Sequence, residues 1–109
     1  MKVFELASDY DVDYLKLVER PDPKLGPGQV LLQMRAWSLN YRDVLVVKGR
    51  YGTRPNLPVV PLSDGVGIVM AIGVSRVILG DRVSPIVMQR WIDGKPTKGA
   101  ATNALGADF

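Results

Sequence analysis

The stretch Gln29–Gly49, "QVLLQMRAWSLNYRDVLVVKG", changes its period halfway along. Up to Trp37 the side chains alternate. Val30, Leu32, Met34 and Ala36 fall on one face, and Leu31, Gln33, Arg35 and Trp37 on the other, the pattern of a β-strand. After Ser38 and Leu39, Tyr41, Val44, Leu45 and Lys48 recur at i, i+3, i+4 and i+7, which is a helix face, and Gly49 supplies a stop. A helix this short has to be held by packing. The polar cluster Asn40-Tyr41-Arg42-Asp43 sits where the period changes. Asn40 is placed as the N-cap and Asp43 as N3, from which a carboxylate can reach back to the cap N–H and face the positive helix end.

Outward from this junction the chain is rich in short β-prone runs. "KVFEL" and "YLKLVERP" flank the polar turn "ASDYDVD", and "PDPKLGPGQ" is a connection that no central strand could accommodate. Downstream, "RYGTRPNLPVVPLSDG" is a long Pro-rich loop, a kind that usually serves function in compact domains. "VGIVMAI" reads as a buried strand, Gly73–Asp81 as a tight connection and "RVSPIVM" as another strand. Residues 90–109 have weak periodicity and many small side chains, and are expected to be loose. Strands, one short helix and further strands give a mainly β fold with one short helix, a small barrel or sandwich.

Composition narrows the chemistry. With 109 residues the chain fits one small domain, and its 47% apolar and 23% charged residues are ordinary for a globular protein. It contains neither cysteine nor histidine, which excludes thiolate and Ser-His-Asp catalysis and removes the commonest metal ligands. The net charge of +3 raises nucleic acid as a partner, but the basic residues are scattered among acidic ones and argue against it. The start "MKVFELASDYD" lacks the apolar core of a secretory signal, and "VGIVMAIGV" is too short to cross a bilayer, so no membrane partner and a cytoplasmic location are expected.

"SDGVG", Ser63–Gly67, superficially suggests a phosphate loop. The dinucleotide fingerprint requires a further glycine where Met70 stands, and it opens a helix, whereas this segment opens a strand. It reads as a bend with close backbone approach. No other segment supplies the strand, Gly-rich turn and helix of a dinucleotide-binding unit. Tyr51, in the long loop, carries a phenol that could donate a proton or simply pack its ring. Trp91 has the same ambiguity, as a lid or a packing residue.

Taken in register, "GPGQVLLQMRAWSLNYRD", "KGRYGTRPNLPVVPLSDGVGIVMAIG" and "LGDRVSP" resemble the N-terminal GroES-like domain of medium-chain dehydrogenases/reductases, most closely the zinc-free quinone- or enoyl-reductase type. The resemblance covers nearly the whole chain, residues 1–109 being one such domain. It implies a GroES-like partial barrel that lacks the Rossmann domain and is incomplete at its end. In zinc-dependent relatives the strand-to-helix junction carries a metal-binding Cys, and the later bend a metal-binding His followed by Glu; Asn40, Ser63 and Asp64 stand at those positions. The resemblance therefore implies no zinc and reduction by NADPH of a polarised C=C or quinone in a small-molecule substrate. It places Asn40 and Tyr41 beside the nicotinamide and matches Tyr51 to a proton donor, with Asn40 also in the catalytic set. Arg42, Asp43, Ser63 and Asp64 are expected to support the site, Arg42 and Asp64 as an ion pair. The Gly73–Asp81 turn is shorter than the family pattern, which could shift strand pairing there.

Two readings follow. In the first the chain is the substrate-side portion of such a reductase, inactive alone because it lacks the half that holds the cofactor. In the alternative it is a stand-alone, non-catalytic GroES-like β module that associates with itself or another protein through open strand edges.

Overall fold

The computed structural model describes residues 1–52, 54–73 and 75–108. Lys2–Leu6 (β1) and Leu15–Glu19 (β2) form an antiparallel hairpin in which Leu6 faces Leu15 and Phe4 faces Leu17. Between them Asp11 accepts the Val12 N–H at 2.6 Å and starts a single 3-10 turn, Val12–Tyr14. The end of β1 joins this hairpin to the Pro-rich loop. Leu6, fully buried, exchanges backbone hydrogen bonds of 2.9 and 3.0 Å with Val59 of the Pro-rich loop. Leu6, Val47 and Val59 make a small apolar cluster, onto which Leu15 and Leu57 pack.

Val30–Ser38 (β3) pairs antiparallel with Asp64–Ile72 (β4), as the alternation predicts. Two bulges interrupt the ladder. Leu31 faces Ala71 and Leu32 faces Val69, which leaves Met70 over, and Arg35 is left over between Met34 and Ala36. Each bulge turns the following side chains to the other face, so the alternation read from the sequence does not run unbroken. Trp37 emerges 57% exposed, and β4 is only partly buried, with Met70 at 52%. Close strand approach at the bend is as expected: a Cβ on Gly65 would lie 2.5 Å from the Met34 side chain and 2.7 Å from the Ala36 carbonyl.

The strand expected over "RVSPIVM" is limited to Arg82–Val83 (β5), paired with Gly67 and Ile68. Pro85 has no N–H to continue the ladder, and the Ser84 hydroxyl instead donates to the Gly65 carbonyl at 2.9 Å. The Gly73–Asp81 connection includes Val74, which lies outside the described residues. Its far end is held by hydrogen bonds from Gly80 and Val69 N–H groups, each 2.9 Å, to Val69 and Asp81 carbonyls.

Helix Tyr41–Val47 (α1) matches the predicted one and ends as the sequence suggests. Gly49 has φ +61°, its N–H donates to Val46 at 3.0 Å, and Arg50 N–H donates to Leu45 at 2.8 Å. These two bonds are a Schellman cap. Tyr10 lies against this cap, and its hydroxyl donates to the Pro55 carbonyl, fastening the helix end to the loop.

The tail carries more structure than its periodicity predicts. Lys98–Thr102 (α2) begins with the Thr97 hydroxyl accepting the Ala100 N–H at 3.2 Å. Asn103–Ala104 (β6) and Ala107–Asp108 (β7) form a minimal hairpin. The signal of α2 and this hairpin was hidden because small residues are the ones buried: Ala100 and Ala107 are 3% and 2% exposed. The fold is thus mostly β; among the described residues the sheets have two, three and two strands and do not close into a barrel.

Gly49→Ala is expected to destabilise the chain by more than about 1 kcal/mol, since its φ is positive and a Cβ would sit 2.7 Å from the Tyr10 ring. Gly52→Ala, with φ +53° and nothing within 4 Å, carries the backbone penalty alone. Urea unfolding should rank the two in that order.

Candidate functional site

The site is built where β3 gives way to α1 and where β4 begins. The β3–β4 ladder ends at the pair Ser38–Asp64, and Asn40 follows as N-cap with extended backbone. Asp43, 4% exposed, accepts the Asn40 N–H at 2.8 Å, the carboxylate half of the expected capping box. Its other oxygen receives the buried Ser63 hydroxyl at the long distance of 3.5 Å. The Asn40 side-chain amide donates to Asp64 Oδ2 at 2.7 Å and, at 3.4 Å, to the Ser38 carbonyl. Asn40, Asp43, Ser63 and Asp64 are therefore brought together in one connected polar cluster.

The expected Arg42–Asp64 ion pair is not formed. Asp64 is engaged by Asn40, and Arg42 turns toward the tail, where Nη1 donates to the Leu105 carbonyl at 3.0 Å. Its guanidinium carbon lies 4.9 Å from the centroid of the Tyr51 ring. Arg42 and Asp64 both lie beside the junction in space, but Arg42 is the second residue of α1 and leaves the helix on a different course from Asn40. Arg42 thus gives Tyr51 a contact with the junction. Tyr41 is 77% exposed. Trp91 is 43% exposed and donates its indole N–H to the Gly94 carbonyl at 3.0 Å, outside the core cluster.

An open cleft of about 990 Å³ runs between β3, the Pro-rich loop and the tail hairpin, with Met34, Trp37, Ser63, Asp64, Leu105 and Gly106 among its walls. A smaller groove of about 330 Å³ lies between Trp37, Ser38, Gly65 and Ser84, and Asp64 belongs to its wall as well. Leu105 and Gly106 carry no signal that sequence reasoning could use. One contributes a backbone carbonyl to Arg42, and the other the absence of a side chain beneath Leu62.

The zinc expected in metal-dependent relatives does not fit this donor set. The three corresponding side chains are an amide, a hydroxyl and one carboxylate. The amide and carboxylate are bonded to each other, while the hydroxyl points to Asp43. Among the described residues no group of three or more His, Cys, Asp or Glu side chains could hold a metal ion.

The family model for the alcohol dehydrogenase GroES-like domain matches residues 26–106. The chain belongs to this family, within the medium-chain dehydrogenase/reductase superfamily. It is 45% identical over 97 residues to a zinc-type alcohol dehydrogenase-like protein of Schizosaccharomyces pombe, an alignment covering 86% of this chain and 28% of that protein. Its fold matches a candidate alcohol dehydrogenase from Sinorhizobium meliloti 1021 with a TM-score of 0.81 and 37% identity, over 97% of this chain and 32% of the other. A mycobacterial protein complexed with NADPH matches with a TM-score of 0.68 and 28% identity, over 78% and 27% of the two chains. The chain thus spans about a third or less of the length of these proteins.

Asn40→Asp would set a carboxylate where an amide now donates to Asp64. It is expected to cost about 1 kcal/mol in urea unfolding, toward the low end of the effect of an unsatisfied or repelled polar group because the pair is only partly buried. Adding Asp64→Asn reverses donor and acceptor and should recover most of the loss.

Proposed function

We propose that this chain is the substrate-side portion of a zinc-independent, pyridine-nucleotide-dependent reductase acting on a polarised C=C or quinone. The observation that carries the zinc-independent part is the Asn40–Asp64 hydrogen bond at 2.7 Å, which joins two of the three positions where metal-dependent relatives have ligands. A sequence without cysteine or histidine offers no other set of soft or imidazole donors. NADPH is the cofactor this reading assigns, and when bound it would supply the hydride.

The chain's own residues then have definite tasks. Asn40, held at the helix start by Asp43 and Asp64, presents its amide at a fixed place, and exposed Tyr41 offers an aromatic surface beside it. In this reading both flank the nicotinamide. Tyr51, steadied by Arg42, is the proton donor to the carbon or oxygen that completes the reduction. Asp64 acts through Asn40, and Ser63 through Asp43. None of these side chains replaces the strand, Gly-rich turn and helix needed to hold the nucleotide's phosphates. The chain alone is therefore expected to be inactive.

Isothermal titration of the 109-residue chain with NADPH tests this division of labour: no binding in the micromolar range is expected, and a micromolar dissociation constant would overturn it. Zinc at tens of micromolar should leave the melting temperature unchanged, because a ligand that binds the folded form must raise it. The alternative, a non-catalytic module that self-associates through the open edges of the sheets, is favoured by a monodisperse oligomer in light scattering.

A further inference from the structure

Arg42 makes two contacts that no sequence pattern announces. The Tyr51 ring centroid lies 4.9 Å from its guanidinium carbon, and Nη1 donates in the guanidinium plane to the Leu105 carbonyl at 3.0 Å. A guanidinium can do both at once because its donors lie in a plane whose face stays free for an aromatic ring; a lysine ammonium has no such face. Leu105 is the first turn residue of the β6–β7 hairpin and lines the cleft. Arg42 itself is fixed, since α1 is closed by Asp43 at one end and by the Gly49 cap at the other.

We propose that Arg42 is a positioning residue that locks Tyr51 and the 103–108 hairpin to each other, so that the phenol and one wall of the cleft move as a unit. The catalytic meaning of this link rests on reading Tyr51 as the proton donor; the link itself does not. Nε and Nη2 are buried without a hydrogen-bond partner among the described residues. The guanidinium therefore carries a desolvation cost that offsets much of what its two contacts contribute. Removing it should alter global stability little while breaking both contacts. A residue that served only to hold the fold together would behave in the opposite way.

The test uses the 109-residue chain, labelled with ¹⁵N and with ¹³C in its tyrosines. Three readouts apply: the Tyr51 ring resonances, hydrogen exchange of the Leu105 amide, which donates to Val87 at 2.9 Å, and the melting temperature. Arg42→Met should move the Tyr51 resonances and speed Leu105 exchange about tenfold, with the melting temperature shifted by only a few degrees. Arg42→Lys should restore part of the Tyr51 shift without restoring Leu105 protection. Tyr51→Leu should also speed Leu105 exchange, but should add nothing when Arg42→Met is already present. Unchanged Tyr51 resonances and Leu105 exchange in Arg42→Met would overturn the proposal. So would a Tyr51→Leu effect of equal size in both backgrounds, which would mean that the ring reaches the hairpin without Arg42. Should Arg42→Met fail to fold, Arg42→Lys and Tyr51→Leu decide alone: normal Leu105 exchange in both overturns the link. Failure of the proton-donor reading would look different, as turnover retained by Tyr51→Phe in an active enzyme that contains this segment.

Discussion

The hydrogen bond between Asn40 and Asp64 closes the end of one structural element and fixes the start of another. Asp64 is the first residue of β4 and pairs with the last residue of β3, so its position is set by the ladder. Asn40 lies two residues beyond that pair, where the chain has already left the sheet. Joining them at 2.7 Å sets the direction in which α1 departs. Everything that α1 carries, including Arg42 and the buried Val46 and Val47, inherits that direction. A hydrogen bond to a charged acceptor contributes more than a neutral one, which suits a contact bearing this much of the geometry.

The elements with a clear period were legible in the sequence. The strand over 30–38, the helix over 41–47 and its glycine stop all follow from the spacing of apolar residues and one residue of positive φ. Capping chemistry at Asp43 was equally readable, because it depends on residues three apart in the chain. The bulges at Arg35 and Met70 were not, since a bulge is a property of two strands in register and leaves no local mark. The tail hairpin was hidden for another reason. Its buried residue, Ala107, is too small to stand out in any hydrophobic pattern. At the site, Asn40 and Asp64 could be brought together by resemblance alone, whereas the course of Arg42 depended on a backbone carbonyl 63 residues away.

The shape of the molecule accords with a domain whose sheets stay open. Its radius of gyration is 14.5 Å, against about 13 Å for a compact chain of this length. Large apolar side chains such as Trp37, Leu39, Tyr41 and Ile92 stand on the surface. The apolar cluster that holds the N-terminal hairpin is small, and polar links carry much of the assembly: Tyr10 to Pro55, Arg20 to Glu5, and Ser84 to Gly65.

Gly106 illustrates a different kind of dependence. Leu62 has a φ of +84°, and the space between it and Gly106 is so small that a Cβ there would fall 2.4 Å from the Leu62 carbonyl oxygen. Both residues border the cleft, yet neither offers a functional group to it. Mutational tolerance at position 106 should therefore be as low as at a reacting residue, although nothing reacts there. A survey of damaging substitutions would flag Gly106 for steric exclusion, and reading that intolerance as chemistry would misplace the site.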